Sequence, residues 1–269
     1  MKKVLFIIPT LTQTNGVTSF MVNYLNKMNL SDFKVDVLYN DLRPSQKYID
    51  FFSAKGIDIH KLPYIWNVGL INYCKAIKSF FDKNNDYDLI YSNIGYQSYF
   101  FYREARKHKV YKWAIHAHAT NLSGNKVKNL IGSLLQIKVN RICKYKFACS
   151  ELAGKSIFKN KKFTVINNAI EYEKYSFNDN FRKKIRTDLG VKDGEKIIGF
   201  VGRFVPQKNI FFFVNLVKKL SSEYKIIMIG NGPQMTKFVD IINTEKLSDN
   251  FILINEVSNV NEYYSAFDY

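Results

Sequence analysis

The feature that most limits what this chain can fold into is an alternation of short, nearly continuous apolar runs with longer stretches of helical spacing. The runs lie at residues 4–8, 35–39, 89–92, 113–116, 147–149, 163–166, 197–201, 226–229 and 251–254. Helical spacing lies at residues 17–28, 70–81, 127–143, 210–220 and 234–243. A run without polar interruption reads as a strand buried on both faces. Strand and helix in turn predict an α/β protein, with parallel sheets and helices on both faces. Residues 171–194 break the pattern with a charged segment that carries FRKKIR at residues 181–186. Two Rossmann-like doubly wound domains are therefore expected, residues 1–175 and residues 176–269. The second series has only three clear strands, so the second domain reads as incomplete.

Composition narrows the classes. At 46% hydrophobic and 16% aromatic residues the chain has ample material for a core, which excludes a disordered protein. Cys74, Cys143 and Cys149 form no CxxC pair, so neither a disulfide framework nor a zinc knuckle is indicated, and a reducing cytoplasm is expected. The opening Met1-Lys2-Lys3 and the apolar residues after it imitate a signal peptide, but the run is too short and gives way to Pro9; it reads as the first buried strand. No stretch approaches the ~18 apolar residues of a membrane span, so any membrane contact is expected to be peripheral. The net charge of +17 points to a polyanion, whether nucleic acid, anionic lipid or a phosphorylated substrate, or to a compositional surplus of lysine spread along the chain.

Ligands of open α/β sheets sit beyond the carboxyl ends of the strands, and four suggestive loops fall there. The stretch KIIGFVGRFVPQKN, residues 196–209, runs from a strand through the turn glycine Gly202 to two cations, Arg203 and Lys208, and then to Asn209, which is expected to cap the helix at 210–220. This outlines a phosphate site, with an ordinary loop bearing two solvated cations as the alternative. Gly16, after Asn15, lets the backbone come close to a substrate, Asn15 being able to adopt a left-handed conformation; a plain tight turn uses the same residues. His116 and His118, two apart on a strand, share one face and can hold a metal, place one imidazole in a cleft, or be satisfied within the core. A metal would want a third ligand, and no acid lies between Glu104 and Glu151. Gly230-Asn231-Gly232-Pro233 supplies a GxG turn, but Met235 stands where a dinucleotide fingerprint has its third glycine, and GxxxxGK[ST] is absent. Neither a simple dehydrogenase nor a P-loop ATPase is expected.

Together these loops carry a resemblance. NGVTSF at residues 15–20, IHAHAT at 115–120, FACSELAG at 147–154, VINNAI at 165–170, GFVGRFVPQKN at 199–209 and IGNGP at 229–233 resemble, in order, the family 4 (group 1) glycosyltransferases of the GT-B type, bacterial exopolysaccharide and capsule enzymes among them. The resemblance implies two domains facing a cleft and retaining transfer of a sugar from a nucleotide-sugar to a saccharide acceptor, in many cases lipid-linked. No metal or other cofactor is implied, and no nucleic acid. It implies that Arg203 and Lys208 bind the donor diphosphate, that Gly230, Gly232 and Pro233 lie near the nucleotide, and that Gly16 approaches the donor. It implies for His118 a place beside the transferred sugar, where it hydrogen-bonds a hydroxyl and supports developing positive charge.

Three departures accompany it. Asn15-Gly16 replaces a paired glycine, Asn167-Asn168 replaces Asn-Gly, and no two glutamates have the E-x7-E spacing that orients the donor in the family. The chain therefore reads as a fragment, expected not to turn over. Residues 126–146, KVKNLIGSLLQIKVNRICKYK, place Leu130, Leu134, Ile137 and Ile142 at roughly helical spacing among cations. Either this face meets anionic lipid, making the protein peripheral at the inner face of the plasma membrane, or the helix faces the core with a solvated basic back. Rival readings are a nucleic-acid binder, on the charge and on the aromatics from Tyr96 to Tyr102 beside Arg103 and Arg106, and a non-catalytic nucleotide-sugar sensor.

Overall fold

Among the described residues every strand pairs in parallel with its neighbours. The computed structural model describes residues 1–12, 15–40, 43–118 and 126–269, except for the side chains of 126–129. The chain divides into two units, Met1–Ile170 and Glu171–Tyr269.

The first unit runs β1 (Lys2–Ile8), α1 (Gly16–Lys27), β2 (Phe33–Asn40), α2 (Gln46–Ala54), β3 (Asp58–Leu62), α3 (Ile65–Lys83), β4 (Leu89–Ser92), α4 (Ser98–Lys107), β5 (Trp113–Ala117), α5 (Lys126–Ile142), β6 (Tyr145–Ala148), α6 (Glu151–Phe158) and β7 (Thr164–Val165). Its sheet has the order β3-β2-β1-β4-β5-β6-β7. The unbroken apolar run of β1 has a direct cause. Leu5 and Ile7 enter a core with Tyr73, Ile77 and Phe101 from α3 and α4, while Val4, Phe6 and Ile8 enter another with Phe20, Leu25 and Phe52 from α1 and α2. A strand that feeds a core on both faces has no side left for polar residues.

The second unit runs α7 (Asp179–Asp188), β8 (Lys196–Val201), α8 (Phe212–Val217), β9 (Tyr224–Ile229), α9 (Met235–Thr244), β10 (Phe251–Ile254) and α10 (Val260–Tyr264), with the strand order β10-β9-β8. Ile226 and Met228 pack with Phe204 and Phe238 on one face, Ile197, Ile227 and Ile229 on the other. The structure divides the chain a few residues ahead of Ser176, because the 3-10 turn Tyr172–Tyr175 belongs with the second unit: the Tyr175 ring meets the Tyr264 ring edge-on at 5.6 Å.

Two expectations are corrected. Asn209 does not cap a helix spanning 210–220: it is left-handed, with φ 48°, at the end of a 3-10 turn Pro206–Lys208, and α8 occupies only Phe212–Val217. The FRKKIR stretch is not merely a charged break. It forms α7, from which Arg182 and Arg186 reach Asp268 at 2.6 and 3.1 Å. The same carboxylate accepts the Ile197 N–H at 2.7 Å, and Tyr269 pairs alongside β8 through Gly199 and Ile197. Burial pushes the Asp268 carboxyl up, but the Ile197 N–H and the guanidiniums outweigh it and hold it below its ordinary 3.8. Its stabilising effect is therefore present at neutral pH and lost as pH falls below that value. Asp268→Ala is expected to destabilise the second unit by about 1–3 kcal/mol, the range for removing charged hydrogen bonds. Faster hydrogen exchange of the β8 amides would show it; unchanged protection would refute the clamp.

Candidate functional site

The loop from β1 to α1 is held by local hydrogen bonds. The Thr18 hydroxyl donates to the Thr10 carbonyl at 2.7 Å, Asn40 donates to the Pro9 carbonyl at 3.1 Å, and the Asn15 side chain accepts the Val17 and Thr18 N–H groups at 2.9 and 3.2 Å. Asn15 is thus an N-cap in extended conformation, φ −98°, and does not use the left-handed region open to it, since a cap needs β-region backbone to present its oxygen. Gly16 opens α1. Its φ is not positive, and among the described residues nothing lies within 4 Å of where a Cβ would stand. The local fold does not demand a glycine here.

At the exit of β5 the two imidazoles do share a face, and they stack with centroids 4.2 Å apart and planes at 24°. His116 is the inner one, 1% exposed, with Nδ1 2.8 Å from the Tyr91 hydroxyl. His118 is half-buried at the strand's end, with the Phe20 ring of α1 edge-on at 4.9 Å. Its Nε2 lies 2.8 Å from Asn93 Oδ1. Asn93 uses its amide nitrogen on the Ile7 carbonyl at 3.2 Å, so its oxygen faces the histidine and can only accept. His118 therefore carries its hydrogen on Nε2 and presents a lone pair on Nδ1. Desolvation lowers His116 to about 4; desolvation, then the neighbouring His116, lowers His118 to about 3. The pair is neutral at physiological pH. Ala119 and Thr120, the end of the HAHAT motif, lie outside the described residues, among which no three His, Cys, Asp or Glu side chains converge as a metal site would need.

Asn93 was missed by the sequence reading. The signal was present: a polar residue directly beyond an apolar strand, 5% exposed in the structure, at the edge where ligands gather.

In the second unit Arg203 and Lys208 are both exposed on the loop leaving β8. Among the described residues neither has a carboxylate partner. The loop is sewn to the one leaving β9: Gly202 N–H donates to the Ile229 carbonyl, Phe204 N–H to the Asn231 carbonyl at 2.9 Å, and Gln234 N–H to the Phe204 carbonyl at 3.1 Å. This close approach explains the GxG turn. A Cβ on Gly230 would lie 2.1 Å from the Gly202 oxygen, and one on Gly232 would lie 2.5 Å from the Phe204 oxygen. Gly230 also has φ 140°. Arg203, Gly230, Gly232 and Pro233 are thus brought together, with Lys208 on the same loop as Arg203. His118, Asn93 and the start of α1 form the corresponding cluster of the first unit.

Residues 181–269 match the family model described as glycosyl transferases group 1. That match takes in most of the second unit and makes it similar to the group 1 glycosyltransferases. The chain is 21% identical over 99% of its length to a putative glycosyltransferase, EpsF, of Bacillus subtilis, spanning 72% of that relative. It is 27% identical to the capsular polysaccharide biosynthesis glycosyltransferase CapH of Staphylococcus aureus over 54% of its own length and 38% of that relative. Its fold is that of GT-B structures. It matches Anabaena HepE, solved with UDP-glucose, with a TM-score of 0.78 at 16% identity, over all of this chain and 72% of that one. It matches S. aureus TarM with a TM-score of 0.73 at 12% identity, over 99% of this chain and 79% of that one.

Two expectations arise from this geometry. Ring-proton NMR of His116 and His118 is expected to show no midpoint between pH 5 and 8; one near 6.5 for either would contradict their burial. Between about 6.5 and 4 the unfolded chain binds more protons than the folded one, so the pair's contribution to stability declines as pH falls. Gly232→Ala is expected to cost about 1–3 kcal/mol, because the clash is with backbone. Urea unfolding measures it, and an unchanged midpoint would contradict the crowding.

Proposed function

We propose that the protein transfers a sugar from a nucleotide-sugar to a saccharide acceptor, with retention at the anomeric carbon, in surface polysaccharide synthesis. The observation that carries the donor half is the pair of exposed cations, Arg203 and Lys208, without a carboxylate partner among the described residues, on a loop fixed by backbone crowding against its neighbour. A diphosphate needs charge and donors that do not have to be freed from other bonds first, and a loop already held in place loses little entropy on binding. HepE was solved with UDP-glucose, which supports a nucleoside diphosphate sugar as the ligand class. The names of EpsF and CapH support an exopolysaccharide or capsule product, for which we propose a lipid-linked acceptor.

In this reading His118 acts as a neutral group. Its Nδ1 lone pair accepts a hydrogen bond from a sugar hydroxyl, and Asn93 fixes the tautomer that makes this possible. A neutral imidazole lends electron density to positive charge developing at the anomeric carbon without repelling it, as an imidazolium would. The glycosidic bond to the diphosphate breaks, a bond to the acceptor oxygen forms, and the products are the glycoside, the nucleoside diphosphate and a proton. Arg203 and Lys208 meet the charge left on the departing diphosphate, so the reading requires no metal. Gly16 keeps room open at the start of α1 for the donor.

The sequence holds no E-x7-E spacing, and we propose that the 269-residue chain binds donor without turning over, so binding is the test. Calorimetry against a panel of nucleoside diphosphate sugars is expected to find one that saturates. Arg203→Ala and Lys208→Ala should each weaken it about 10- to 100-fold, the range for a charged hydrogen bond. Gly16→Ala should weaken it with no loss of stability. Affinity indifferent to all three, or no binding by any nucleotide-sugar, would overturn the reading.

A further inference from the structure

Helix α5 is turned the opposite way from an ordinary surface helix. Its inward side is built from Gly132, Gln136 and Val139, followed by Cys143, all buried. Its outward side carries Leu130, Leu134 and Ile137, exposed by 64%, 56% and 40%. Residues at i, i+4 and i+7 form a single stripe, and Ile131 widens it on one shoulder. Ile142, grouped with these by the sequence pattern, is half-buried instead. The core-facing alternative therefore fails for the three large aliphatics that define the stripe.

The charge around the stripe selects what can cover it. Arg141 continues the stripe and is exposed, and Lys138 flanks it with Nζ 5.0 Å above the Tyr99 ring. Lys144 and Lys155 are exposed nearby in the chain. From Thr120 to Lys162 the only acid is Glu151, and Lys155 lies 3.7 Å from it. The complement must be apolar in the middle and anionic at its margin. Nucleic acid offers the charge without the apolar surface. A second copy of a chain with net charge +17 offers apolar surface with repulsion. A leaflet rich in anionic phospholipid supplies both.

We infer that α5 docks the protein on an anionic bilayer, with Leu130, Leu134 and Ile137 entering among the acyl chains and Lys138 and Arg141 meeting headgroup phosphates. The inference uses none of the residues on which the proposed transfer rests, so it stands or falls apart from it.

Sedimentation with phosphatidylcholine vesicles, with and without phosphatidylglycerol, tests it. The protein is expected to sediment with the phosphatidylglycerol vesicles at low salt, to be partly released at high salt, and to stay largely in solution with phosphatidylcholine alone. The double variant Leu134→Ser/Ile137→Ser should weaken binding at least about tenfold, because each buried aliphatic side chain supplies that much. Lys138→Glu/Arg141→Glu should weaken it and flatten the salt dependence. All four side chains face solvent, so unchanged far-UV circular dichroism and an unchanged urea unfolding midpoint are the controls on folding. No sedimentation at low salt would overturn the inference. So would binding that tolerates the serine variant, which would mark simple electrostatic adsorption, and so would self-association that the serine variant abolishes, which would make the stripe an interface between copies.

Discussion

Parallel pairing is the constraint on which the rest of this structure depends. When neighbouring strands run in one direction, the chain must cross a sheet face after each strand, and every strand exit falls on a single edge. The crossings demand helices on both faces, which is why β1 delivers alternate side chains to two separate cores. The shared edge gathers residues distant in sequence. Asn15, Asn93 and His118 stand at the exits of β1, β4 and β5, adjacent strands of one sheet. Arg203 and Gly230 stand at the exits of β8 and β9, neighbours in the other.

The two edges reach chemical readiness by opposite physical routes. In the first unit the imidazoles are drawn out of water against Phe20, Tyr91 and each other, so desolvation removes their charge and a hydrogen bond to Asn93 selects the tautomer. In the second the side chains stay in water and keep their charge, while order comes from the backbone beneath them. Gly230 and Gly232 let one loop press against the next so closely that three backbone hydrogen bonds tie them together. The glycines of this turn are therefore explained by packing, and any closeness they have to a nucleotide is an additional property.

What the sequence made legible tracks how far each cause reaches along the chain. Strands buried on both faces announce themselves as apolar runs, so β1, β4, β8 and β10 could be read directly. Edge strand β3 could not, since DIHKL buries only Leu62 fully and looks like loop. The cations of α7 read as a solvated break because their partner, Asp268, lies more than eighty residues away. Asn209 read as a cap because a strand, a glycine and an asparagine before apolar residues usually precede a helix, yet the 3-10 turn at Pro206–Lys208 supplied the bend and left it at positive φ. The HxH and GR-x4-KN stretches were visible as candidates. The asparagine that orients His118 was not, because its role depends on a neighbouring strand.

Helix α5 shows the same limit. Periodicity reveals that its large aliphatics share a face, but a stripe has no inherent inside. The choice was made by its neighbours: α5 lies against the turn Gly95–Gln97 and against α4, whose Tyr99 joins the core cluster of Val139 and Cys143. Of the aromatic residues that suggested nucleic-acid stacking, Tyr99 packs into this core, while Phe101 is fully buried and Phe100 and Tyr102 pack against the separate core shared by β1, α3 and α4. The helix is held by the side that carries Gly132, Gln136 and Val139, with Val139 and Cys143 packed beside Ile115, Ala117 and Phe158. Leu130, Leu134 and Ile137 stand on the opposite side, and a surface that is apolar and cationic at once is the outcome.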